Sequence, residues 1–202
     1  QVHGDGGQQV TERLDAFMSH LHGIAFIKDP AGRYVYINGA STALLGLDPE
    51  DITRKITPHT KAVIPVHMCG APARIDRIME VARRHKLLVL EDNAQGCGAG
   101  FKGKKLGAFG DMGIFSFDYV KTVTTGEGGM VLTNNKDLAD RAEWYHDHGH
   151  DHKAAGRAMD GRTLLGFNYR MNEIQGALGL AQLRKLDMIV AAQRKNKERI
   201  KE

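Results

Sequence analysis

The sequence predicts an α/β protein, and three observations carry that prediction. Residues 61–92 read as strand, helix, strand; two more strands and two helical stretches follow; and a smaller α+β stretch precedes them all. The chain has 202 residues, which suits one or two domains. Lys+Arg number 28 against 24 Asp+Glu, a net charge of +4, with 42% hydrophobic and 26% charged residues. That is ordinary globular composition. The acidic residues are mixed among the basic ones, and no Lys/Arg stripe is interleaved with aromatics, so no nucleic-acid partner is expected. No apolar run approaches the ~20 residues that cross a bilayer, and QVHGDGGQQ has no signal-peptide core. Two cysteines, Cys69 and Cys97, make no disulfide framework. The expectation is no membrane partner and a cytoplasmic location. A first residue of Gln1 rather than Met leads us to expect that the natural start lies elsewhere.

Residues 1–10 read as a flexible tail. In TERLDAFMSHLHG, Leu14, Phe17, Met18 and Leu21 recur at helical spacing behind Thr11 as N-cap. GIAFIKD and RYVYIN follow as two strands joined by a turn at Asp29-Pro30-Ala31-Gly32, and ASTALLGL as a short helix stopped by Gly46. Residues 11–47 resemble the first half of a PAS sensor domain, through Asp29, Gly32 and Arg33, then Tyr36 and Asn38, then the Leu45-Gly46 ending. The strands that would complete such a sheet do not follow LGLDPEDI.

Residues 48–202 have a different pattern. KAVIPVHM and LLVLED are continuous apolar strands, of the kind buried on both faces. Between them PARIDRIMEVARRH is a helix, with Pro72 expected in its first turn and Ile75, Ile78, Met79 and Ala82 on one stripe. Together they predict a β-α-β unit with parallel strands and a right-handed crossover. MGIFSFD and GGMVLTN add strands, and NKDLADRAEWYHDH a helix. RMNEIQGALGLAQLRKL is the next helix, with Ile174, Leu178, Ala181 and Leu183 expected to face inward, and the basic tail continues it.

The candidate chemistry lies between Leu87 and Asn134. Glu91-Asp92 end a buried strand, and acidic groups at the carboxyl end of a parallel strand are expected to face a ligand crevice. FSFDYVKTVTTGEGG then delivers Ser116, Lys121 and a loop containing Gly126, Gly128 and Gly129. A desolvated lysine beside a carboxylate suits Schiff-base chemistry, in which the carboxylate keeps a pyridine nitrogen protonated. The glycines allow close backbone approach, and a serine hydroxyl donates to a phosphate.

ITPHTKAVIPVHMCG, VLEDNAQGCGAGFKGKKLGAFGD, FSFDYVKTVTTGEGGMVLTN and GFNYRMNEIQGALGLAQL, in that order, resemble the middle of the DegT/StrS-type sugar aminotransferases. The resemblance implies an incomplete large domain of the aspartate-aminotransferase fold (pyridoxal-phosphate fold type I) over 48–202. It implies pyridoxal 5'-phosphate as cofactor, with Lys121 as Schiff-base and proton-shuttling residue and Asp92 paired with the pyridinium nitrogen. It further implies Gln95 near the ring hydroxyl, Ser116 on the phosphate, and Asn168 reaching the phosphate of a neighbouring subunit in a homodimer. The reaction implied is amino transfer from an amino acid, glutamate, to a keto-sugar, either a nucleotide sugar or a sugar acid. Relatives that carry His in place of this lysine dehydrate instead. VHMCG, FSFDYVKT and YHDHGHDH are nearest to members that aminate an eight-carbon sugar acid. The family's N-terminal portion, with further phosphate-binding amides and a ring-stacking side chain, and its C-terminal small domain lie outside this sequence. A join in LGLDPEDI, a rearranged coding sequence and impaired turnover are therefore expected.

Competing readings stand beside these. Lys121 alone would be a surface lysine, Asp92 a turn cap and Asn168 a turn residue. His146, His148, His150 and His152, interleaved with Asp147 and Asp151, have ligand types that bind zinc or nickel, but a wet loop reaching for sugar hydroxyls is preferred and no metal is expected. Cys69 and Cys97 are read as small buried fillers. The alternative function is a PAS-type sensor or interaction module fused to a non-catalytic aminotransferase fragment.

Overall fold

Ile75, Ile78, Val81 and Ala82 recur at helical spacing, and burying that stripe builds the centre of the core. The computed structural model describes residues 26–28, 34–37, 50–151 and 161–201. The chain divides into two compact units, 1–56 and 57–202.

In the first unit, β1 (Phe26–Lys28) and β2 (Tyr34–Ile37) pair antiparallel, with Phe26 opposite Ile37 and Ile27 opposite Tyr36. The expected hairpin strands are present. A short helix α1 (Glu50–Lys55) closes the unit. The expected helix after Thr11, the turn at Asp29–Gly32 and the ASTALLGL helix lie outside the described residues. A two-stranded hairpin is common to many folds and does not by itself support a PAS assignment.

The second unit holds the β-α-β unit. β3 (Ala62–Val63) and β4 (Leu88–Asp92) are adjacent and parallel, Ala62 opposite Leu88, with α2 (Ile75–His85) between them in the chain. β3 is shorter than expected. Pro65 has no N–H to contribute to a ladder, so pairing breaks there and resumes only as a bridge from Val66 to Asp92. Pro72 lies ahead of α2 rather than in its first turn, because the Ala73 N–H donates to His67 Nδ1 (3.2 Å) and holds that segment out of the helix. α2 ends on Lys86 in the left-handed conformation, φ +56°.

A small hairpin, β5 (Gly100–Phe101) and β6 (Lys104–Lys105), follows β4. β7 (Met112–Ser116) then pairs parallel with β4, and β8 (Gly129–Leu132) antiparallel with β7, giving the sheet order β3-β4-β7-β8. Burial on β4 alternates rather than being continuous: Val89 and Glu91 are enclosed, whereas Leu88 is 51% exposed. One face of that strand is packed and the other is partly exposed.

Helices α3 (Lys136–His146), α4 (Glu173–Leu183) and α5 (Leu186–Lys201) complete the unit. α4 begins in a reciprocal cap between Asn172 and Gln175. Its expected inward residues are not inward. Ile174 is 81% exposed, and Leu178, Ala181 and Leu183 are exposed too. The helix approaches the fold through glycine: a Cβ at Gly179 would stand 3.2 Å from Thr125 Cγ2, and that close approach turns the Ile174 face outward.

Candidate functional site

Register places two candidate residues at one end of the sheet. β4 ends at Asp92, which pairs with Ile114 on β7, and Ser116 ends β7 two residues further on. Neighbouring strands lie about 4.8 Å apart, so both residues stand on one face of the sheet at the carboxyl ends of adjacent parallel strands. The backbone around Asp92 is held from both sides. Its N–H donates to the Pro65 carbonyl (2.9 Å), its carbonyl accepts from the His67 N–H (3.0 Å), and the Asn93 N–H donates to Ile114 (3.0 Å). The half-buried carboxylate accepts from the Ala94 N–H through Oδ1 (3.1 Å). Ser116 Oγ accepts from the Asp118 N–H (3.3 Å), which leaves its own proton to donate.

The segment after β7 folds back on itself. Phe117 N–H donates to Gly128 (2.8 Å), and Thr125 N–H donates to Phe117 (2.9 Å). Gly126 and Gly128 have φ of +83° and +149°, values that favour glycine, and Gln175 Nε2 ties the loop to α4 through the Glu127 carbonyl (2.9 Å). Lys121 sits in this loop, its own N–H donating to Asp118 (3.0 Å). Its side chain is half-buried, and among the described residues its amine makes no hydrogen bond or ion pair. Gln95, three residues past Asp92, accepts from the Cys69 N–H through Oε1 (3.0 Å) and keeps its amide NH₂. It lines a cavity of about 560 Å³ together with Cys69, Cys97, Thr122 and Arg194. Asp92, Ser116 and Lys121 do not line that cavity.

Asn168 stands elsewhere, bridged to Asp147, with its side-chain oxygen accepting from Arg170 Nε (3.2 Å). Arg170 also pairs with the buried Asp147 (3.0 Å). The GFNYR segment therefore packs on the histidine loop of its own chain. In that loop His146 Nδ1 contacts the Glu143 carbonyl, His148 and His150 stack edge to face with ring centroids 6.2 Å apart, and His150 bridges to Arg162. Among the described residues no group of three or more His, Cys, Asp or Glu side chains is placed to hold a metal ion; His152 lies outside them. Cys69 is exposed rather than buried. Cys97 is half-buried, and burial pushes its thiol up.

Glu91 requires a correction. It is fully buried, on the face of β4 that carries Val89, and does not share the face of Asp92. Its Oε1 accepts from the N–H groups of Phe109 (2.5 Å) and Gly110 (2.7 Å), and its Oε2 from the N–H of Gly107 (2.9 Å) and from His67 Nε2 (2.9 Å). Because His67 Nδ1 accepts from Ala73, the ring proton sits on Nε2 and is given to Glu91. Burial pushes the Glu91 carboxyl up, but the His67 hydrogen bond and the Gly110, Gly107 and Phe109 amides together outweigh it and hold it below the ordinary value. Sequence reasoning missed this cluster. The available signal was the period of two, which puts Glu91 beside Val89 and opposite Asp92.

Residues 33–202 match the DegT/DnrJ/EryC1/StrS aminotransferase family. The match starts inside the segment read as PAS-like. The GDP-perosamine synthase of Caulobacter vibrioides is 46% identical over 151 residues, 72% of this chain and 38% of that protein. An aminotransferase from Psychrobacter cryohalolentis superposes with a TM-score of 0.64 at 40% identity, over 71% of this chain and 38% of that one. An E. coli GDP-4-keto-6-deoxy-D-mannose-3-dehydratase, solved with bound hydrated PLP, gives 0.69 at 30% identity, over 77% and 43%. The chain thus spans about two fifths of the curated relative's length. Among the described residues, no helix is long and apolar enough to cross a membrane.

Proposed function

The chain belongs to the DegT/DnrJ/EryC1/StrS aminotransferase family, and from that premise we propose that it is the cofactor-holding part of an enzyme that moves an amino group from glutamate to a keto-sugar. The observation that carries the reading is the half-buried Lys121 amine, unclaimed among the described residues, on the loop leaving β7, whose parallel neighbour ends in Asp92. One carboxylate with an uncommitted oxygen, one hydroxyl with a proton to give and one uncommitted amine fit a phosphorylated pyridine aldehyde. Pyridoxal phosphate, when bound, supplies the aldehyde that takes up the amino group and the ring that accepts electrons.

The chain's own residues then have separate tasks. Lys121 supplies the nucleophilic amine and, when released, carries a proton. Asp92, its backbone clamped between Pro65 and His67, holds a proton on the ring nitrogen. The free NH₂ of Gln95 donates to the ring oxygen, and the Ser116 hydroxyl donates to the phosphate. The relative at 46% identity is named for a GDP-linked sugar. That favours a nucleotide-linked keto-sugar over an eight-carbon sugar acid. A lysine at position 121, where dehydrating relatives carry histidine, favours amination.

Adding pyridoxal phosphate to the purified chain is expected to produce a visible absorption band that Lys121→Ala abolishes. Absence of any Lys121-dependent band in the wild-type chain would overturn the reading.

We also propose a homodimer in which Asn168 reaches the partner's phosphate site. Phe167 and Tyr169 stack in parallel on the surface, ring centroids 5.5 Å apart, and are 46% and 65% exposed. Apolar surface of this kind favours burial between copies. Light scattering over a dilution series is expected to show a dimer; a monomer at every concentration would remove the role given to Asn168.

A further inference from the structure

Glu91, His67 and Asn93 form a polar cluster that the proposed chemistry does not use. All three are at most 1% exposed, directly beneath the strand end that carries Asp92. A buried carboxylate that accepts from three amides and an imidazole is an organising centre, because its donors are brought to it from two separate segments. Oε1 and Oε2 gather the 107–110 loop, and the imidazole gathers the 67–73 segment. His67 then acts in two directions. Its backbone N–H ties to the Asp92 carbonyl, and its Nδ1 fixes the Ala73 amide. Between those two anchors runs the 3₁₀ turn Met68–Gly70, whose Cys69 N–H is the donor that holds Gln95 Oε1. The turn needs such anchoring, since Cys69 itself is held at φ +52°. Gly96 seats the Gln95 loop on the same cluster: any Cβ there would collide with Asn93 Oδ1 and lie 3.5 Å from the His67 Cβ.

We propose that Glu91 and His67 are positioning residues for the cofactor site, setting Asp92 through its backbone and Gln95 through the Cys69 amide. This inference rests on the proposed cofactor role of Asp92 and Gln95. It assigns a function to the residue pair rather than to either side chain alone. Removing the pair's hydrogen bond leaves Asp92 and Gln95 in the chain but frees the segments that aim them.

The test compares the wild-type chain with Glu91→Gln, His67→Gln and Val81→Ala. Glu91→Gln keeps the volume but turns an NH₂ toward amide donors. His67→Gln keeps one N–H for Glu91 and is the milder change. Val81→Ala, in the α2 core, lowers the melting temperature and removes none of the cluster's hydrogen bonds. The readouts are the dissociation constant for added pyridoxal phosphate, the position of the absorption band and the amide exchange rate of Cys69. Glu91→Gln is expected to weaken binding at least about tenfold, the change that one charge-assisted hydrogen bond carries. It is also expected to shift the band and to speed Cys69 exchange. His67→Gln does the same to a smaller degree, and Val81→Ala leaves all three unchanged at a comparable melting temperature. If either cluster variant binds like the wild type, or if Val81→Ala weakens binding equally, the pair is merely structural and the proposal fails. Should Glu91→Gln not fold, His67→Gln decides by the same readouts. A wild-type chain without a Lys121-dependent band is a different failure: it removes the cofactor reading, and this inference with it.

Discussion

Glu91→Ala is expected to lower the unfolding free energy by about 3–5 kcal/mol. The side chain is fully buried, and the substitution leaves the Gly107, Phe109 and Gly110 amides and His67 Nε2 without their acceptor. Each orphaned donor keeps the cost of its lost hydration. Set against the roughly 5–15 kcal/mol of a typical domain, that loss is a large share of the whole. Equilibrium unfolding in urea measures it, and a loss below about 1 kcal/mol, the worth of one ordinary hydrogen bond, would show that the cluster does not hold the loop. The same geometry gives a pH dependence with a definite sign. The folded-state pKa of Glu91 lies below its ordinary value of 4.5, so its stabilising contribution is present above that value. It is lost as pH falls from there through the folded pKa. Wild-type stability is therefore expected to drop on acidification below about pH 4.5, and the Glu91→Ala chain to show a shallower drop.

Gly113→Ala is expected to cost about 3 kcal/mol, at the upper end for overpacking a core. Gly113 lies opposite Glu91 in the β4–β7 register, and a Cβ there would fall on the Gly107 carbonyl. No side chain can move aside, because the obstacle is backbone. The 107–110 loop would have to lift, taking the Gly107 amide away from Glu91 Oε2. The cost is thus steric strain plus a lost charge-assisted hydrogen bond. Urea unfolding of Gly113→Ala, Glu91→Ala and the double variant forms a cycle. Because both changes break the same contact, the double variant is expected to lose less than the sum of the singles. Strict additivity would mean that Gly113 and Glu91 act independently.

The legible part of the candidate site was the order of its residues along the chain. Asp92 at a strand end, Ser116 and then Lys121 before a glycine loop form a pattern of neighbours in sequence, and the parallel pairing of β4 with β7 carries Asp92 and Ser116 to one edge. The hairpin strands and the β-α-β unit were legible for the same reason, since a period of two or 3.6 is a local property. Pro65 was visible too, yet the strand was expected to run through it; the missing N–H shortened β3 to two residues.

What the sequence by itself determined was therefore the family and most of the strands and helices; the β5–β6 hairpin was not legible, and the last helix, expected to run on into the basic tail, divides into α4 and α5. The tertiary structure decided which faces are inside. Glu91 and His67 are 24 positions apart, and only the parallel pairing of β3 with β4 brings them to 2.9 Å. Gly107 and Gly113 meet because a loop folds back over its own strand. α4 has an apolar stripe that reads as inward, but it approaches the fold at Gly179, where a Cβ would stand only 3.2 Å from Thr125 Cγ2, and Ile174 faces outward. In each case the deciding contact is tertiary rather than a property of one strand or helix, and a buried carboxylate is stable only where donors from other segments converge on it.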